Sequence, residues 1–279
     1  IDRSKRPFLL TAEGRAFHSG CVKILRQFES LTEEVRAIGN EVCGRASVAA
    51  IYSVGLSYLP DLQRFVRAEH PNADVRYQFG QPDEVYRLVE QGIVDFGLVS
   101  YPQSSKTIIA SGWLEERMLL ACPPQHPLAR ELEVSIHDLK SQALIAFAPN
   151  LRIRHEIDRF LRHLGITMKI AAEFDNIDSV KHGMDVNEAV AFLPEPTVRE
   201  ELESGSLYAP SCPWLKLNRP LGLIQRRDST LSRTARGVME LILNQSFASE
   251  RDAARVPTRA VSSRHSSNVP ASTSAGVQP

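Results

Sequence analysis

From Ala12 onward the apolar residues fall at Phe17, Cys21, Ile24, Phe28, Leu31, Val35 and Ile38, separated alternately by four and three positions. A spacing of this kind, held for about three heptads, predicts a helix over 12–39 with one narrow apolar seam. Thr11 stands at its N-cap and Gly39 where the chain would leave it. Arg15, Lys23, Arg26, Glu29, Glu33, Glu34 and Arg36 fill the other faces. A broad stripe would suit packing on the helix's own domain. A narrow seam on so long a helix needs a partner of similar shape, and an identical helix supplies one, so the pattern predicts a homodimer.

After residue 44 the pattern changes to short apolar runs alternating with amphipathic segments. GRASVAAIYS (44–53), residues 73–79 and VDFGLVS (94–100) read as strands. Between them lie a helix with Leu59, Leu62, Phe65 and Val66 inward, and a second that starts at Pro82 and carries Val85, Leu88 and Val89 inward. MLLACPP (118–124), then 143–147, 168–174, 189–193 and 221–225, read as further strands, with helical faces at Ile153, Ile157, Phe160, Leu161 and Leu164 and at Leu231, Ala235, Val238, Leu241 and Ile242. Such alternation predicts an α/β fold with a mainly parallel sheet. Residues 249–279 are rich in Ser, Ala, Arg and Pro without periodicity and are expected to be disordered. No repeat of fixed period runs through the chain.

At 279 residues the chain is long for one compact unit, so two lobes, or one domain with an appended helix and a tail, are expected. Its 33 basic and 33 acidic residues give no net charge, which disfavours wholesale coating of nucleic acid but allows a local basic contact. Cys21, Cys43, Cys122 and Cys212 form no CxxC and have no His at zinc spacing, so reduced thiols are expected, with no metal and no cofactor. The first residues are polar and no apolar run spans a bilayer, which predicts a cytoplasmic protein without membrane association. No GxSxG, HExxH, P-loop or GxGxxG is present. His126 among prolines and His70 before a proline read as structural, and Asp95 as an acceptor of backbone N–H groups rather than a catalytic acid. No catalytic residue is assigned.

Several segments together, in order and spacing, carry a resemblance. They are IDRSKRPFLLTAEGRAF, the heptad helix, VAAIYSVGLSYLPDLQRFVRAEHPNADVRY, EVYRLVEQGIVDFGLVS and LLACPPQHPLA. Over about 1–244 the chain resembles a LysR-type transcriptional regulator. That resemblance implies a winged-helix remnant (1–11), a linker and dimerisation helix (12–39), and a periplasmic-binding-protein-like effector domain (45–248). The effector domain would comprise one subdomain of about 45–120 with 223–246 and a second of about 121–222. The family's recognition helix would precede Ile1, so base reading maps onto no residue here, and the sequence is expected to be N-terminally truncated. Arg3, Ser4, Lys5 and Arg6 would form a basic wing tip that holds phosphate or a minor groove, with Arg3 and Thr11 matching positions that support DNA contact. The implied partners are promoter DNA, a small-molecule effector and further copies of the chain, as a homodimer or dimer of dimers.

In open α/β sheets ligands lie beyond the carboxyl ends of strands, where helix N-termini offer free N–H groups. Ser53, Val54, Gly55, Ser100, Tyr101 and Asn150 occupy such segments. Ser53 matches a position where the family sets a hydroxyl against an effector carboxylate, and serves equally as an N-cap. Ser100 and Asn150 suit the cleft or a turn. Tyr101 suits an apolar wall with a polar tip or hinge packing, and Gly55 a close approach of backbone or a turn. Arg152 and Arg154 either add positive charge there or lie on the surface. Donor-rich helix ends favour an organic anion. The competing reading is a solute-binding protein of a transport system, which shares the lobes but has no use for a heptad helix or a basic turn. An enzyme on this fold is a third, without a visible catalytic group.

Overall fold

The computed structural model describes residues 1, 6, 9–36 and 44–244. Arg3, Ser4, Lys5, Ile38, Cys43, the tail 249–279 and the side chain of Val35 lie outside that description. The Thr11 hydroxyl accepts the Gly14 N–H at 3.1 Å, satisfying one of the orphan donors of helix α1 (Ala12–Arg36). Along α1 the seam residues Phe17, Ile24, Phe28 and Leu31 are 58–76% exposed, and Cys21 is half-buried. None of the four packs into the chain's own core.

The first lobe begins with β1 (Gly44–Ile51), which is apolar and buried over Val48–Ile51 because sheet neighbours and helices cover it on all sides. Helix α2 (Tyr52–Glu69) follows without a linker. The sequence pattern had extended the strand to Ser53; the helix instead starts at Tyr52. Next come β2 (Ala73–Gly80), α3 (Pro82–Glu90) and β3 (Phe96–Ser100). Pro82 opens α3, and Val85, Leu88 and Val89 face inward. A Cβ on Gly97 would sit 2.7 Å from Val85 Cγ1, so only glycine lets α3 press this close to β3. The Asp95 carboxylate accepts the Ser47 N–H at 2.7 Å, the structural role expected of it.

Strand β4 (Ile108–Ala121) then leaves the first lobe for the second, and β8 (Asn218–Arg226) brings the chain back beside it. The first half of β4 pairs with β8, and Met118–Ala121 pairs with β7 (Ala191–Pro194). The sheet order is β2-β1-β3-β8-β4-β7: β1 is parallel to β2 and β3, whereas β8 and β4 run antiparallel to their neighbours. The sheet is therefore mixed, which corrects the mainly parallel expectation. A two-way crossing between lobes requires strands of opposite direction.

The second lobe adds β5 (Ala143–Phe147), α4 (Arg152–His163), β6 (Lys169–Phe174), α5 (Ile177–Asn187) and α6 (Arg199–Ser204). Strand β5 pairs in parallel with β6 and reaches the residues before β7 through Ile145 N–H to Val190 C=O at 2.8 Å. One apolar cluster fills this lobe, with Met118 and Leu120 from β4, Ile145 and Phe147 from β5, Phe192 from β7, Ile157 and Leu161 from α4, and Val180 and Met184 from α5. Helix α7 (Arg233–Asn244) closes the chain against β1 and α2 of the first lobe, burying Ala235, Val238 and Ile242.

Candidate functional site

Between the lobes lies a cleft of ≈ 1200 Å³. Nearly every wall is a strand end that turns into a helix start. From the first lobe these are Ile51–Ser53 (β1 to α2), Gly80–Asp83 (β2 to α3) and the segment from Ser100 to Ser105 after β3. From the second they are Asn150–Ile153 (into α4), Asp175–Asp178 (β6 to α5) and Pro196–Thr197 after β7. Ligands collect here in doubly wound folds because strand carboxyl ends and helix amino ends coincide. The N-caps Ile51, Gln81 and Leu151 make no side-chain cap, so the first N–H groups of α2, α3 and α4 have no side-chain acceptor. Helix α5 differs: the Asn176 side chain accepts the Ser179 N–H at 2.8 Å.

Four of the six residues expected at an effector site line this cleft: Ser53, Ser100, Tyr101 and Asn150. Val54 and Gly55 do not. Each residue of a helix turns the side chain by about 100°, which carries Val54 into the lobe core at 1% exposure. Gly55 lies under the Phe79 ring, whose Cε1 would be 2.3 Å from an added Cβ. Its glycine allows close approach, but of an aromatic ring rather than of a ligand.

The floor of the cleft is the crossing of β4 and β8, where Glu116 and Arg219 face each other across the ladder. Arg219 Nε donates to Glu116 Oε2 at 2.6 Å, with side chains only 3% and 0% exposed. Both terminal guanidinium nitrogens of Arg219 donate to Ser53 Oγ at 3.3 Å. Tyr58 Oη, from the second turn of α2, donates to Glu116 Oε1 at 2.9 Å. Burial, and after it the Glu116 carboxylate, push the Tyr58 phenol up, so it remains a donor. The Trp113 ring packs edge-on against Tyr58 at 5.3 Å. With its oxygen accepting from Arg219, the Ser53 hydroxyl keeps its proton for a group in the cleft, polarised by the cation behind it. Sequence reading found Ser53 and missed Arg219, Glu116 and Tyr58. The only signal was a register between strands 103 residues apart, and half of one of those strands had gone unrecognised.

Tyr101 adopts φ +50°, a left-handed conformation that disfavours non-glycine residues. Its N–H donates to Pro220 C=O at 2.8 Å, and its ring packs on the second lobe's core, so it is both cleft wall and hinge packing. Arg152 lines the cleft, pairs with Glu156 at 3.3 Å and crosses to the first lobe. With the Gln103 amide oxygen turned toward it, both terminal nitrogens donate at 3.0 Å. Arg154 is neither surface nor cleft. It is buried and donates to Phe147 C=O at 2.7 Å, Glu173 at 2.7 Å and Asp158 at 2.8 Å, tying α4 to β5 and β6. A second contact between lobes runs from Gln81 Nε2 to Asp175 C=O at 3.4 Å.

Of the proposed DNA-contacting residues, Arg6 is exposed and Thr11 caps α1. Among the described residues no three His, Cys, Asp or Glu side chains gather into a metal-holding group, and no helix is long and apolar enough to cross a membrane.

A ligand cleft framed by two α/β lobes and crossed by two strands defines a periplasmic-binding-protein-like effector domain. Residues 39–246 match the family model described as the LysR substrate binding domain, and the chain belongs to the LysR family of transcriptional regulators. A relative, the HTH-type transcriptional regulator CysL of Bacillus subtilis (strain 168), is 24% identical over 202 residues, covering 72% of this chain and 68% of its own. The effector binding domain of QuiR in complex with shikimate superposes with TM-score 0.64 at 18% identity, over 72% of this chain and 96% of that one. A variant of Corynebacterium glutamicum OxyR, H2O2-bound, superposes with TM-score 0.67 at 18% identity, over 87% and 77%.

Proposed function

We propose that the chain regulates transcription by coupling a small organic acid in the interlobe cleft to the way a pair of α1 helices presents basic segments to DNA. The observation that carries this is the buried set Ser53, Arg219, Glu116 and Tyr58. It joins the cleft surface to the two strands on which the lobes turn, so an acid held at Ser53 binds different lobe arrangements with different affinity. The acid lies at the uncapped start of α2, against the Ser53 hydroxyl. The exposed apolar residues of α1 support pairing with a second copy, and effector-domain contacts would build a dimer of dimers. Arg3, Ser4, Lys5, Arg6 and Thr11 carry the duplex contact through phosphate neutralisation. The division into 1–11, 12–39 and 45–248 follows, with lobes exchanging where β4 and β8 cross, and the tail 249–279 outside the domain. The protein acts in the cytoplasm and catalyses no reaction, in keeping with its relative CysL, a transcriptional regulator.

The test is a screen of small organic acids by thermal shift on the full chain, repeated with Ser53→Ala. An acid that stabilises the wild type and weakens at least tenfold in the variant upholds the reading. Stabilisation that is indifferent to Ser53 refutes it.

A further inference from the structure

Most buried polar groups in folded proteins find a hydrogen-bond partner. Two that line this cleft do not: among the described residues, Ser57 Oγ and Tyr101 Oη are buried without one. Ser57 lies four positions after Ser53, on the same face of α2 and about 6 Å further along it. Tyr101 faces the same space from the end of β3. Burial pushes its phenol up to about 12, which leaves it a neutral donor. Phe147 and Ile177 add apolar side chains to the lining.

The charges of the cleft set a second condition. Each of its strong cations already has a carboxylate: Arg219 has Glu116, Arg152 has Glu156, and Lys181 has Glu201 at 2.5 Å and Asp178 at 3.8 Å. Asp83, Asp175 and Glu200 add further acids to the lining. One anionic group is provided for at the start of α2, whereas the start of α3 carries Asp83 and Glu84 and that of α4 has its Arg152 held by Glu156.

We infer that the effector is a compact monoacid that also carries a hydroxyl or carbonyl group, read by Ser57 and Tyr101, and that polyanions are excluded. This rests on the cleft being the effector site. A ligand hydroxyl that pairs with an orphaned group exchanges water for a matched partner, worth about tenfold in affinity.

The experiment is calorimetric titration of the full chain with benzoate, the three hydroxybenzoates and the three benzenedicarboxylates, and with cyclohexanecarboxylate against quinate. The expected result is at least one hydroxylated acid binding about tenfold tighter than its parent, with every dicarboxylate weaker than the parent monoacid. Ser57→Ala and Tyr101→Phe should erase the hydroxyl preference, since each removes only an unpaired oxygen. For the same reason both variants should keep or raise the melting temperature of the free protein. Tighter dicarboxylate binding, equal binding of parent and hydroxylated acids, a preference that survives both variants, or a fall in melting temperature overturns the inference. Acids that bind equally well to Ser53→Ala sink the reading of the α2 start instead, and binding by none of the acids sinks both.

Discussion

Replacing Arg219 by leucine removes the cation from a fully desolvated pair. The Glu116 carboxylate then stays buried with Tyr58 Oη as the one hydrogen bond shown for it. Truncating one partner of a buried ion pair costs about 3–5 kcal/mol, since the charge left behind keeps its desolvation penalty and loses its counter-charge. In a domain of roughly 200 residues each kcal/mol lowers the melting temperature by about 2–4 °C, so a fall of about 6–20 °C is expected. Glu116→Leu should cost at least as much, because it orphans the guanidinium and the Tyr58 hydroxyl together. The double variant leaves no buried charge and should be no less stable than the worse single variant, giving a coupling of about 3 kcal/mol or more. Urea denaturation, comparing midpoints at unchanged slope, measures all three. Single variants each losing under about 1 kcal/mol, with an additive double, would refute a buried pair at the lobe crossing.

His126 is buried, and its Nδ1 accepts the Leu128 N–H at 3.2 Å, while desolvation lowers its pKa from 6.5 against the opposing pull of Glu188 and Gln142. The unfolded chain therefore binds this proton more readily, so stability is complete above about pH 6.5 and declines as pH falls toward the folded pKa; His126→Gln should flatten that slope in pH-dependent melts, and an unchanged slope would exclude His126 as its source. Burial pushes the thiols of Cys122 up to about 12 and Cys212 up to about 11, so a Cys21→Ser, Cys43→Ser double variant should be inert to a disulfide reagent at pH 8 until denatured, and rapid native labelling would contradict the burial. Ile24→Asp with Phe28→Asp, both side chains being exposed, should halve the particle mass by sedimentation while leaving the helical signal of the effector domain intact; an unchanged mass would place the self-association elsewhere.

The elements legible in the sequence are those whose burial has one regular period. Residues 143–147 alternate with nothing and are apolar throughout, and the structure makes Ala143–Phe147 a buried strand. The inward face of α3 repeats at helical spacing and is buried as read. Strand β4 shows the opposite case. Its first half runs through Trp113-Leu114-Glu115-Glu116-Arg117, a charged stretch that suits an exposed loop. Glu116 is nevertheless buried, because Arg219 waits on the neighbouring strand. Local pattern cannot anticipate a partner contributed from a hundred residues away. Arg154 was misread for the same reason: its burial is made acceptable by Glu173 and a β5 carbonyl that the helix pattern does not contain.

By itself, the sequence determined that this is an α/β chain with a leading heptad helix, and it marked Ser53, Ser100, Tyr101 and Asn150 as strand-end residues of a cleft. Periodicity and turn chemistry are local properties, and to them the cleft reading added only the two lobes and the Ser53 position that the family resemblance implied. The tertiary structure alone decided that two antiparallel strands cross between the lobes, that Val54 and Gly55 face away from the cleft, and that its floor is an ion pair behind the Ser53 hydroxyl. Those outcomes depend on which strands come to lie side by side, and that is settled by burial summed over the whole fold.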